Sequence, residues 1–169
     1  TGKKLWEYKE GAVEFGRFLF PTVWDGKVFS CQIGDNSDNN IFCLDVKTGR
    51  KIWHSQIPGT LMTVSQGKIF TANAIDKVPY YICVNAFTGE TIWKWEIPDS
   101  GGFGFPLLIG NGNIFMTASD KIYCIDIDDP KCDGWEMFGG GPELGNYNRQ
   151  EIDEYRKTHP WPKEEQKKN

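Results

Sequence analysis

Two oxygen-rich stretches carry the residue types that most readily hold a cation. Residues 34–40 read Gly34-Asp35-Asn36-Ser37-Asp38-Asn39-Asn40, and Asp126, Asp128, Asp129 and Asp133 crowd a second short segment. A calcium loop of the EF-hand kind closes on a bidentate Glu, which residues 34–40 lack. Asp and Asn are also the ordinary residues of hairpin turns, because their side chains bond nearby backbone and tolerate left-handed φ. The turn reading is preferred for both stretches. His54 follows Trp53 and His159 lies near the C-terminal end; neither has the partner spacing of a zinc site or a nucleophile triad. Gly101-Gly102-Phe103-Gly104-Phe105 and Gly139-Gly140-Gly141 read as linkers, because no helix follows where a phosphate loop needs one. The residues therefore predict no catalytic, cofactor-binding or metal site in this chain.

Five cysteines cannot all pair internally. Cys43, Cys83 and Cys124 recur at spacings of 40 and 41, each before an apolar residue and an Asp or Asn. They are expected to be small buried residues of doubly covered strands, since free cysteine is among the most buried residue types. Cys31 and Cys132 fall outside that register. Cys132 either reaches Cys124 across a hairpin or stays free, and spacing alone leaves both open.

The elements that place these residues follow from a repeat. Cys43-Leu44-Asp45-Val46-Lys47-Thr48-Gly49-Arg50-Lys51-Ile52-Trp53 returns 40 positions later as Cys83-Val84-Asn85-Ala86-Phe87-Thr88-Gly89-Glu90-Thr91-Ile92-Trp93. A degraded third copy runs from Cys124 to Trp135, and the tail of another opens the chain at Thr1-Gly2-Lys3-Lys4-Leu5-Trp6. A period near 40 with several short strands per unit is the signature of propeller blades. The expected strands are 18–24, 27–33, 40–46 and 51–57; then 61–65, 68–72, 80–85 and 91–97; then 105–109, 113–117, 121–127 and 134–138. Each second strand follows a glycine turn, at Gly26, Gly67 and Gly112. Both alternating faces of the strands are apolar, which belongs to sheets covered on both sides. The 19 Gly and nine Pro suit an all-β chain with many turns, and the 14% aromatic content excludes global disorder. A net charge of −4 with no basic stripe argues against nucleic acid. No apolar run is long enough for a membrane-spanning helix.

Asp45, Thr48, Gly49 and Trp53, echoed at Asn85, Thr88, Gly89 and Trp93, resemble the tryptophan-docking repeat of quinoprotein (PQQ-type) β-propellers. The resemblance runs over residues 1–145, and Gly134-Trp135-Glu136-Met137-Phe138 with the glycines after it also looks like a stretch found beside such repeats. It implies that Trp6, Trp53, Trp93 and Trp135 dock against neighbouring blades, with Gly49 and Gly89 turning the chain. The fixed register of these Trp favours packing over ligand stacking, and Trp95, beside Trp93, is read as packing too. The family includes dehydrogenases that hold PQQ with calcium or a lanthanide, and non-catalytic extracytoplasmic members such as an outer-membrane-protein assembly lipoprotein. This chain has no adjacent cysteine pair and no Cys-x-x-Cys-His, so the resemblance implies PQQ only if catalytic residues lie on other blades.

The expected architecture is all-β: a partial propeller of about three four-stranded blades plus an orphan outer strand at 3–8, over residues 1–145. Residues 146–169 form a polar C-terminal tail with a weak helical stretch at 150–157, in which Tyr155 and Trp161 are candidate partner anchors. Propellers close with roughly four to eight blades, so further blades are expected, from the same gene product or another subunit. The function expected is a non-catalytic interaction scaffold, periplasmic or secreted by family analogy. The alternative is the C-terminal portion of a PQQ-dependent alcohol or sugar dehydrogenase.

Overall fold

The computed structural model describes residues 1–10, 17–33, 40–60, 62–98, 108–118, 120–132 and 157. Strands β1 (Arg17–Trp24), β2 (Lys27–Ile33), β3 (Asn40–Asp45) and β4 (Lys51–Pro58) form one antiparallel sheet. β5 (Met62–Ser65), β6 (Lys68–Ile75), β7 (Val78–Asn85) and β8 (Thr91–Glu96) form a second, and β9 (Leu108–Gly110), β10 (Asn113–Ala118) and β11 (Lys121–Asp126) a third. Each strand pairs with its neighbours in sequence. The protein is all-β, a partial propeller of three successive blades. The fourth strand expected at 134–138, with Trp135, lies outside the described residues, as does the tail apart from Lys157.

Paired positive φ values explain the hairpins. Asp25 and Gly26, Gln66 and Gly67, and Asn111 and Gly112 all lie in the left-handed region, which two-residue type I′ turns require because their twist matches that of the flanking strands. The carbonyl of each turn glycine then accepts from the residue just beyond the third strand: Val46 N–H to Gly26 at 3.0 Å, and Ala86 to Gly67 and Ile127 to Gly112 at 2.9 Å. Residues 73–79 differ from expectation. They continue β6 and β7 through a further positive-φ pair, Asp76 and Lys77, with Pro79 near the outer end of its strand opposite Ala74. A turn without glycine masked that hairpin in the sequence.

Residues 3–8, expected as an outer strand, join no ladder among the described strands. A strand requires a partner edge, and residues 3–8 pair with none of the described edge strands. Side chains hold residues 1–10 over the first sheet instead. The Tyr8 ring lies 5.9 Å from Phe18 and 6.1 Å from Phe42, and Lys51 pairs with Glu10 at 2.7 Å.

Two apolar cores lie between successive sheets. Phe29, Cys31, Ile41 and Cys43 meet Met62, Val64, Ile69, Ile82 and Val84; on the other side of the second sheet, Phe70, Tyr81 and Cys83 meet Ile109, Ile114 and Met116. Ladder register sets one row per blade: Phe29–Cys43–Trp53, then Phe70–Cys83–Trp93. A small residue between two aromatics keeps the row level. Cys43 and Cys83 are fully buried, and burial pushes their thiols up to about 11 and about 12. Cys124, expected to match them, is exposed, because β11 ends the described third sheet and no described strand covers it. Cys124 and Cys132 form no disulfide, and all five cysteines are free.

If Cys83 is chosen for its size, Cys83→Leu should cost about 1–3 kcal/mol by overpacking, whereas Cys83→Ala should cost no more than about 1 kcal/mol. Urea unfolding midpoints of the two variants measure the difference; equal losses would rule out the steric account.

Candidate functional site: the faces between blades

The repeated Asp or Asn that closes the third strand builds a turn. Asp45 Oδ1 accepts from the N–H of Lys47 (3.1 Å), the N–H of Thr48 (2.8 Å) and the Thr48 hydroxyl (2.7 Å). Asn85 Oδ1 accepts from Phe87 N–H at 2.8 Å and Thr88 N–H at 3.2 Å, and Asp126 Oδ1 from Asp128 N–H at 2.7 Å. The Thr48 hydroxyl, foremost, holds the Asp45 carboxyl below its ordinary range. The turn closes when Gly49 N–H donates to Asp45 O at 2.9 Å and Gly89 N–H to Asn85 O at 2.8 Å. Gly49 and Gly89 sit at φ +69° and +80°, where any side chain is strained.

Each of those glycines is also the seat of a tryptophan from the preceding unit. Trp6 lies on Gly49 and its indole N–H donates to Val46 O at 3.0 Å; Trp53 lies on Gly89 and donates to Ala86 O at 3.2 Å. A Cβ on Gly49 would stand 2.5 Å from Trp6 Cε3, and one on Gly89 2.8 Å from Trp53 Cε3. Real Cβ contacts are not that short, so only glycine fits. The third turn differs: Asp129-Pro130 replaces Thr-Gly. Trp93 packs on Phe70 with ring centroids 6.1 Å apart, within the core between the second and third sheets. Trp95 is half-buried between Tyr81 (6.2 Å, stacked) and Tyr123 (5.5 Å, edge-on). Tyr81 anchors that group by donating to Thr117 O at 2.9 Å.

Sequence reasoning missed a second device at the hairpin end of the blades. Lys27 and Lys68 follow equivalent turn glycines and both reach forward to the next unit's turn. Lys27 Nζ lies 5.2 Å from the centre of the Phe87 ring, which Trp24 also meets edge-on at 5.6 Å. Lys68 instead pairs with Asp129. The recurring Gly-Lys at 26–27 and 67–68 was the available signal. It became readable only once the register showed which face those lysines leave.

The forward face of the third sheet has no described cover. Phe29 and Phe70 are 0% exposed, whereas their equivalent Phe115 is 38% exposed and Ile122 on the same face is 79% exposed. Among the described residues no group of three His, Cys, Asp or Glu gathers for a metal. Residues 34–39, Asp133, Trp135, Tyr155, His159 and Trp161 lie outside the described residues.

A protein-family model described as outer membrane protein assembly factor BamB, a PQQ-repeat family, matches residues 37–132. That is more than half of the chain. The protein belongs to this family. A tetrathionate hydrolase of Acidithiobacillus ferrooxidans is 25% identical over 130 residues, which cover 75% of this chain. The chain spans 23% of that relative's length.

Trp53→Ala should cost on the order of 3 kcal/mol, near the low end for a packed aromatic. Gly89→Ala should cost about 1–3 kcal/mol from its φ alone and more from the indole. In the double variant the losses should fall short of their sum by about 0.5–3 kcal/mol. Strict additivity in denaturant titrations would show that the two residues do not act through one contact.

Proposed function

We propose that this chain is a non-catalytic interaction scaffold, a sector of a propeller that presents docking faces to further blades within a larger assembly. The observation that carries the reading is the contrast across one register: Phe29 and Phe70 are closed off by the next sheet, whereas Phe115 is left open. A sheet with apolar residues on both faces is stable only when both are covered. Trp6, Gly49, Trp53, Gly89, Trp93 and Trp135 serve as the blade-docking residues, and Tyr155 and Trp161 as anchors on a partner. The further blades come from the same gene product or from another subunit. Family membership, through the description as an outer membrane protein assembly factor, supports protein partners and an extracytoplasmic, periplasmic or secreted, setting.

The similarity to a tetrathionate hydrolase favours a second reading, in which the segment buttresses an enzyme whose reacting groups stand on other parts of the protein. Intact mass of the native material, its absorbance spectrum and a tetrathionate hydrolysis assay separate the readings. The scaffold predicts a colourless complex with additional blade-bearing polypeptide and no turnover. Hydrolysis of tetrathionate, or a quinone spectrum with dehydrogenase activity, would replace it with an enzymatic reading.

A further inference from the structure

Between the second and third blades, three side chains with complementary chemistry converge at the edge of the apolar core that Cys132 helps to line. Lys68 Nζ pairs with the Asp129 carboxylate and also lies 3.9 Å from Cys132 Sγ. Two backbone bonds fix Cys132: its N–H donates to Asp129 O at 2.9 Å, and its carbonyl accepts from Gly112 N–H at 2.9 Å. Lys68 is fixed by its place at the start of β6, opposite Ser65 on one side and Asn85 on the other. Cys132 is fully buried and Lys68 Nζ is largely screened, with 22% of the side chain exposed. Ser65, whose side chain leaves the same face of the sheet as its cross-strand neighbour Lys68, carries a buried hydroxyl with no hydrogen-bond partner among the described residues. At the preceding interface the equivalent lysine, Lys27, faces the Phe87 ring. A purely structural clamp therefore does not need a thiol.

We infer that Lys68 and Cys132 are a covalent modification site, joined on oxidation by a single bridging oxygen, Nζ–O–Sγ, that ties the second blade to the third. The 3.9 Å gap favours one bridging atom over a direct N–S bond, which would require the larger closure. The co-reactant is dioxygen. One of its oxygen atoms forms the new S–O and O–N bonds; the other leaves as water, taking the thiol hydrogen and one hydrogen of the neutral amine. The ammonium form of Lys68 must first lose a proton, and that proton goes to solvent, which reaches the 22% of the side chain left exposed. Burial, foremost, raises the Cys132 thiol above its ordinary value, and the Lys68 charge only partly opposes that rise. For Lys68 itself, burial works to lower its ordinary value, but the Asp129 hydrogen bond and neighbouring charges leave it raised; the reaction is therefore slow and favoured by mildly alkaline conditions.

The test is peptide mass spectrometry of the full chain after incubation in oxygen-saturated buffer, with and without subsequent dithiothreitol. Cys124→Ser serves as the background, because Cys124 is the one exposed thiol. The expected result is a crosslinked pair of peptides containing Lys68 and Cys132, heavier than their sum by one oxygen and lighter by two hydrogens, and lost on reduction. Lys68→Arg keeps the cation opposite Asp129 and should abolish the crosslink, as should Cys132→Ser. The linked form should also show a thermal unfolding midpoint raised above that of the reduced form, as cross-links that restrict the unfolded chain do. A Cys83–Cys132 disulfide, a Cys132 carried to sulfinic acid without a crosslink, or a Cys132 that stays reduced would each overturn the proposal.

Discussion

A β-sheet with two apolar faces needs a neighbour on each, and the architecture of this chain follows from that constraint. The second sheet meets the requirement. Its strands β6 and β7 carry runs of consecutive buried residues, Ile69–Asn73 and Tyr81–Val84, so both alternating faces are closed. In the third sheet β10 alternates between buried and exposed positions, because only its rear face has a described neighbour. The same residue types, in the same register, thus show what blade packing supplies and what its absence leaves exposed.

The seating of one unit's tryptophan on the next unit's glycine gives this stacking its register. A flat apolar face would tolerate sliding, whereas an indole over a left-handed glycine, with its N–H on a fixed carbonyl, does not. The Asp or Asn at the end of the third strand matters for the same reason: it shapes the turn that holds the glycine. Rim contacts vary around this fixed element. Lys27 meets an aromatic ring and Lys68 a carboxylate, so each interface is individually matched while the scaffold repeats.

Most of the fold was legible because the repeat states it several times. The type I′ turns are written as glycine after Asp25, Gln66 and Asn111, and the strand ends beside those turns follow from them to within a residue. The 73–79 hairpin was hidden because Asp76 and Lys77 adopt positive φ without glycine. Cys124 was misread because its repeat position matches Cys43 and Cys83; position in a repeat cannot tell whether the next blade is present. Trp6 and Trp53 could be marked from spacing, but the glycines beneath them could not, since Gly49 and Gly89 read as turn residues until the indoles are seen above them. Lys68 lies 61 positions before Asp129 and 64 before Cys132, and only the stacking of blades brings it to them.

The most direct measurement of the central claim is the rate at which a thiol reagent labels Cys124, the single exposed cysteine, in the native assembly and in the separated chain. If a further blade closes the forward face of the third sheet, Cys124 will be protected in the assembly and will label readily once the chain is isolated. Equal, rapid labelling in both would contradict the account, because that face would then be open to water in the working particle.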